Sequence, residues 1–96
     1  MLNAKQKRYL KSLAMEKNAI YQIGKKEITN NSIIMLDKAL NAHELIKISV
    51  LKSIDTSLME IALDLSSKLN AEVVQIIGRV IVLYRANEEK SIIKLP

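Results

Sequence analysis

Residues 72–85, EVVQIIGRVIVLYR, hold two runs of aliphatic, mostly β-branched residues parted only by Gly78-Arg79. A two-residue break led by glycine is too short for anything but a tight hairpin, so runs 73–77 and 80–83 pair as antiparallel strands. Both runs are almost continuously apolar, which demands cover on at least one face. The rest of the chain must supply that cover without large rings. Aromatic residues make up only 3% of a chain that is 49% hydrophobic, so the core is built from Ile, Leu, Val and Ala with four Met.

Upstream, helical and strand periods alternate. Residues 3–17 read as a helix in which Leu2, Tyr9, Leu10, Leu13 and Ala14 share a face, with Lys7, Arg8 and Lys11 beside it. Residues 19–23 form a short apolar run ending at Gly24, which reads as a strand. Thr29 or Asn30 can cap a second helix over 29–42, with Ile33, Leu36, Ala39 and Leu40 on its buried stripe. Residues 44–51 alternate: Ile46, Ile48 and Val50 face one way, Lys47 and Ser49 the other. Asp55, Thr56 or Ser57 can cap a third helix, and Ser57 with Glu60 fits a capping box. Its stripe is Leu58, Ile61, Ala62, Leu65 and Leu69, and Asn70 is a plausible stop. The order is α-β-α-β-α-β-β. Strands alternating with helices imply parallel pairing and the closing hairpin adds antiparallel pairing, so the expected fold class is α/β with a four-stranded mixed sheet.

The 96 residues suit one domain spanning 1–96. A chain of this size buries something over about 60% of its unfolded surface. Glycine occurs twice, and proline once at the last position, so nothing marks an internal boundary. The start, MLNAKQKRYLKSLAMEKN, lacks the apolar run of a signal peptide, and no segment approaches a membrane span. A soluble, cytoplasmic protein without membrane partners is expected. With no cysteine, disulfides and thiolate metal sites are excluded.

Catalysis finds no positive support. His43 stands alone and reads as a helix C-terminal residue. The acids are scattered, with no close pair in an apolar setting to split two pKa values. No serine lies in a G-x-S-x-G elbow, and neither phosphate-binding glycine motif occurs. No enzyme, cofactor, metal or small-molecule substrate is expected.

The charge distribution is informative. Residues 1–26 carry seven basic residues and one acid, a net of +6, and residues 27–96 carry a net of −1. An excess confined to the first quarter points to a polyanionic partner on one face. Part of it lies at the strand–loop–helix junction YQIGKKEITNNSII. Gly24 permits close backbone approach, the first N–H groups of the following helix favour a phosphate, and Lys25 and Lys26 add charge. A solvated turn explains the lysines equally well, and the basic residues of the first helix tip the balance toward a ligand. With Tyr9, Tyr21 and Tyr84 the only aromatics, a base-stacking platform is not expected, and shape and phosphates are the better targets.

The segments LNAKQKRYLKSLA, YQIGKKEIT, ALNAHELIKISVL, AEVVQIIGRVIVLYR and the closing IIKLP together resemble the CRM domain, in particular its small bacterial single-domain YhbY type. The resemblance runs from Leu2 to Pro96 in order. Its sharpest points are Lys5-Gln6, Gly24-Lys25, His43-Glu44-Leu45-Ile46-Lys47 and Ile77-Gly78-Arg79. It implies a fold like the C-terminal domain of bacterial translation initiation factor three. It also implies RNA binding, association with precursors of the large ribosomal subunit, and a role in their maturation. The family's RNA-contacting loop is Gly-x-x-Gly, comparable to the clamp of KH domains. Here it maps to Gly24, Lys25, Lys26 and Glu27, with an acid in place of the second glycine. Two accounts stand: Glu27 points away while Gly24 and the lysines hold the phosphate, or the loop is weakened and the first helix carries the affinity.

The expected function is therefore non-enzymatic binding of ribosomal RNA in precursor large-subunit particles, as a monomer. The expected RNA-contacting residues are Lys5, Lys7, Arg8, Lys11, Gly24, Lys25 and Lys26. The alternative is an adaptor that docks on a ribosomal protein or an assembly GTPase.

Overall fold

A computed structural model describes residues 2–19, 21–24, 28–52, 57–87 and 93–96. Among them lie helix α1 (Ala4–Ala14), strand β1 (Tyr21–Ile23), helix α2 (Asn30–His43), strand β2 (Leu45–Val50), helix α3 (Leu58–Leu69) and strands β3 (Glu72–Ile77) and β4 (Val80–Tyr84). The element order is the one the sequence predicts. The strands form one four-stranded sheet in the order β1-β2-β4-β3. β1 runs parallel to β2, and β4 is antiparallel to both β2 and β3, so the sheet is mixed.

Each helix boundary has a local cause. Asn3 caps α1: its side chain accepts the Gln6 N–H at 2.8 Å, and the Gln6 side chain accepts the Asn3 N–H at 3.1 Å. This reciprocal box satisfies two otherwise unpaired donors. The helix was expected to reach residue 17 but ends at Ala14, where the N–H groups of Glu16 and Lys17 turn back to the carbonyls of Leu13 and Ala14. Thr29, the first of the two expected caps, starts α2 by accepting the Ser32 N–H. Ser57 starts α3 by accepting the Glu60 N–H at 3.2 Å; the alternatives Asp55 and Thr56 lie outside the described residues. Asn70 stops α3 in the left-handed conformation, at φ 53° and ψ 44°.

The sheet separates two apolar layers. On one face Ile46, Ile48, Ile81 and Leu83 meet Leu36 and Leu40 of α2 and Ile61, Leu65 and Leu69 of α3. On the other, Leu45, Val74, Val82 and Tyr84 meet Leu10 and Ala14 of α1, with Leu2, Leu13, Ile93 and Leu95 around them. β2 therefore carries its expected apolar face toward α2 and α3, and Leu45 on the opposite face is buried as well. Arg85 ties the first layer together. Its guanidinium donates to the Asp37 carboxylate at 2.8 Å, the Asn41 side chain at 2.9 Å and the Leu69 carbonyl at 2.8 Å.

The β3–β4 hairpin closes through Gly78 and Arg79, between the paired residues Ile77 and Val80. Gly78 has φ +56°, the positive value the first position of a II′ turn needs. A bulge shifts the register between Val73 and Gln75. Val73 pairs with Leu83, Gln75 with Val82 and Ile77 with Val80, so Val74 is the extra residue.

Candidate nucleic-acid interface

α1 reads AKQKRYLKSLA and contains no acidic residue. Leu10 and Ala14 are buried against the sheet, which leaves Lys5, Lys7, Arg8 and Lys11 exposed. Lys7 and Lys11 are one helical turn apart, and Arg8 lies between Lys5 and Lys11 at three-residue spacing, so the four form a continuous basic surface. The arrangement works against the helix itself. The N-terminal end of a helix carries partial positive charge and favours acids, yet Lys5 sits in the first turn. The stability of the helix does not account for a cation there. Tyr9, expected on the buried face, is 39% exposed, because it lies toward the far flank of the helix from Lys7 and Lys11.

Lys47 joins this surface from β2. Its ammonium donates to the Lys17 carbonyl at 3.1 Å, which holds the side chain over the sheet face that carries α1. Lys11 and Lys47 line one cleft. The sequence marked Lys47 only as a polar position of an alternating strand, within the His43–Lys47 motif.

Gly24 follows β1 directly. A Cβ built there would stand 3.4 Å from Cδ1 of Leu51, at van der Waals contact. The Leu51 N–H bonds the Ile23 carbonyl at 3.0 Å, and Arg79 donates from the hairpin tip to the carbonyls of Val50 and Leu51. Arg79 thus braces the strand end beside Gly24, a structural role for part of the Ile77–Arg79 motif. Lys25, Lys26 and Glu27 lie outside the described residues.

The start of α2 is fixed to β1. The Tyr21 hydroxyl and the Thr29 hydroxyl each stand 3.0 Å from the buried Ser32 hydroxyl. A cleft of about 520 Å³ opens there, lined by Ile28, Thr29, Asn30, Ile33, Ile34 and Lys68. Lys68 is paired with Asp64 at 3.1 Å. His43, at the end of α2, is exposed.

The structure thus brings Lys5, Lys7, Arg8 and Lys11 together on one helix and adds Lys47. It sets Gly24 at a braced strand end. Glu44, buried and bonded to the C-terminal segment, was missed as a structural residue. A charged residue at the close of a helix looks solvated in sequence, and its burial depends on a tail more than forty residues away.

Comparisons with known proteins agree in kind. The model of the CRS1/YhbY (CRM) domain matches residues 2–85. A Bacillus subtilis protein named "Probable RNA-binding protein YqeI" is 41% identical over 96 residues, covering all of both chains. A Haemophilus influenzae protein named "RNA-binding protein" is 36% identical over 91 residues, covering 95% of this chain and 92% of its own. The solution structure of SAV1595 from Staphylococcus aureus, described as a candidate RNA-binding protein, superposes with a TM-score of 0.84 at 46% identity over both full chains.

Proposed function

The chain belongs to the CRS1/YhbY (CRM) domain family, and we propose that it is a non-enzymatic RNA-binding protein that acts in the cytoplasm on precursors of the large ribosomal subunit. One observation carries the RNA reading: α1 presents Lys5, Lys7, Arg8 and Lys11 to solvent with no acid on the helix. Such a surface suits the phosphates of a structured RNA better than its base edges. Gly24, with Lys25 and Lys26 after it in the sequence, supplies a second contact in this reading. The names of the relatives support RNA as the ligand class. The ribosomal target rests on the family resemblance.

Filter binding to naked ribosomal RNA across a salt series tests the ligand. Neutralising roughly four to six phosphates gives a slope of log K against log salt of about −3 to −5. Replacing Lys7, Arg8 and Lys11 by Ala flattens that slope and leaves the fold intact, since all three are exposed and alanine favours helix. An unchanged slope removes α1 from the interface. Gradient fractionation with immunodetection tests the target: signal is expected with immature large subunits, and signal confined to free protein or polysomes overturns it.

One observation favours the adaptor alternative. Met59 and Leu63, a turn apart on α3, are 56% and 58% exposed. An adaptor working through that face binds naked RNA weakly at every salt concentration, which the same titration separates.

A further inference from the structure

The face of the sheet under α1 is only partly covered. Beside the end of that helix lies a cleft of about 120 Å³. A single water needs about 10–15 Å³ of such space, so the cleft has room for a small group of waters or one flat ring. Its floor is apolar, formed by Val80 and Val82. Two apolar side chains stand at its rim despite being exposed, Met15 at 82% and Ile77 at 56%. Its polar groups are Lys11, Lys47 and Gln75, and no carboxylate lines it. Among the described residues the Gln75 side-chain amide has no hydrogen-bond partner, so it is available to a ligand.

The bulge in β3 builds this lining. Strict alternation from Glu72 and Val74 would put Ile76 on this face and turn Gln75 and Ile77 away. The extra residue at Val74 reverses the phase. Gln75 and Ile77 then pair with Val82 and Val80 on the α1 side, while Ile76 packs into the opposite layer. A bulge next to a cleft that re-aims an amide into it is a recurrent device of binding sites.

We propose that this cleft receives one unpaired nucleobase of a bound RNA, with Lys11 and Lys47 meeting the flanking phosphates and the Gln75 amide bonding the base edge. The proposal rests on the RNA-binding reading above. Charge complementarity selects the occupant: an apolar slot lined by two lysines and no carboxylate matches a flat ring carried between two anions. The bond from Lys47 to the Lys17 carbonyl fixes that ammonium and leaves its remaining donors for a phosphate. An amide both donates and accepts, as the edges of unpaired bases require. No tyrosine lines the cleft, so the ring is held by aliphatic contact and by the Met15 thioether, which contacts aromatic rings favourably.

The test compares two RNA hairpins at fixed salt, one with a single bulged nucleotide and one with that nucleotide deleted, by fluorescence anisotropy. The protein is expected to prefer the bulged hairpin roughly five- to ten-fold, the range of a net hydrogen bond plus a partly buried ring. In Gln75→Leu the ratio of the two affinities falls toward one. Equal affinity of the parent protein for both hairpins overturns the proposal while leaving the RNA-binding reading standing; it is also the result expected if the cleft takes a protein side chain. Absence of binding to either hairpin overturns both. A ratio retained in Gln75→Leu removes the amide and with it the proposal. Should that variant not fold, photocrosslinking of the parent protein to a hairpin with 4-thiouridine at the bulge decides. Adducts on Met15, Lys47 or Ile77 support the cleft, and adducts confined to α2 and α3 overturn it.

Discussion

Oε1 of Glu44 accepts the backbone N–H of Ile93 at 2.5 Å, while Oε2 of the same carboxylate accepts that of Asn87 at 2.5 Å. One buried side chain thus holds two points of the C-terminal segment. Glu44 does so from a positive-φ backbone, at φ 64° and ψ −39°, which costs a residue with a side chain some strain. Glu44→Gln keeps the shape but turns an NH₂ toward one of the two N–H donors. Two donors then face each other in a buried site. A loss of about 2–3 kcal/mol is expected in urea unfolding, with faster amide exchange at Asn87 and Ile93. A variant as stable as the parent would show that the tail does not depend on this carboxylate.

Tyr84 gives the fold an alkaline limit. Burial, followed by the nearby charges of Glu44 and Glu72, raises its pKa above the ordinary value of 10.0. The unfolded chain therefore releases the phenolic proton at lower pH than the folded one. Stability from this group is complete below pH 10 and declines as pH rises from there through the folded value. Tyr84→Phe should flatten that part of the stability profile, measured by urea midpoints between pH 9 and 11 (roughly the titration range of tyrosine). Parallel profiles for the two proteins would exclude Tyr84 as the cause.

Lys5 separates stability from binding. In the first turn of α1 its charge opposes the helix dipole, and glutamate there would favour it at almost equal helix propensity. Lys5→Glu is expected to raise stability by about 0.3–1 kcal/mol at low salt, an effect that fades as salt is added. The same change should weaken RNA binding. A variant that is more stable and binds as well as the parent would remove Lys5 from the interface.

The segment Lys25-Lys26-Glu27 is tested by charge and by backbone freedom. Lys25→Ala with Lys26→Ala should weaken RNA binding roughly ten-fold or somewhat more, at about 1 kcal/mol per lost contact. Glu27→Gly removes a negative charge and restores the family pattern, so binding should tighten modestly. Filter binding at one salt concentration reads both. A double variant that binds like the parent removes Lys25 and Lys26 from the interface.

The elements were legible because their signals are local. Thr29, Ser57 and Asn70 announced helix ends by chemistry confined to a few neighbours, and Gly78-Arg79 announced the hairpin in the same way. The length of α1 was not legible, because Met15-Glu16-Lys17 continues a helical composition and only a turn stops the helix at Ala14. The phase of β3 was hidden for a related reason: EVVQII is apolar enough to sit in either register, and a bulge leaves no mark in such a run. The basic surface of α1 was visible in the charge count. Lys47 was not, since its place beside Lys11 depends on how α1 crosses the sheet. Glu44 and Arg79 stood in motifs that carry the family resemblance, and their contacts brace backbone.

α1 precedes in sequence every surface that buries it. Leu10 and Ala14 rest on Leu45, Val74, Val82 and Tyr84, with Ile93 and Leu95 beside them, and the Leu2 N–H bonds Glu72. At about 5–20 residues per second, these partners follow α1 out of the ribosome by seconds. A helix of 11 residues is marginal in water by itself, so it has little to hold it in the interval. The helix that carries Lys5, Lys7, Arg8 and Lys11 is thus made before the residues that hold it in place. Its presentation as a rigid surface waits for residues as late as Ile93 and Leu95, so making this helix and displaying its basic face are separate events.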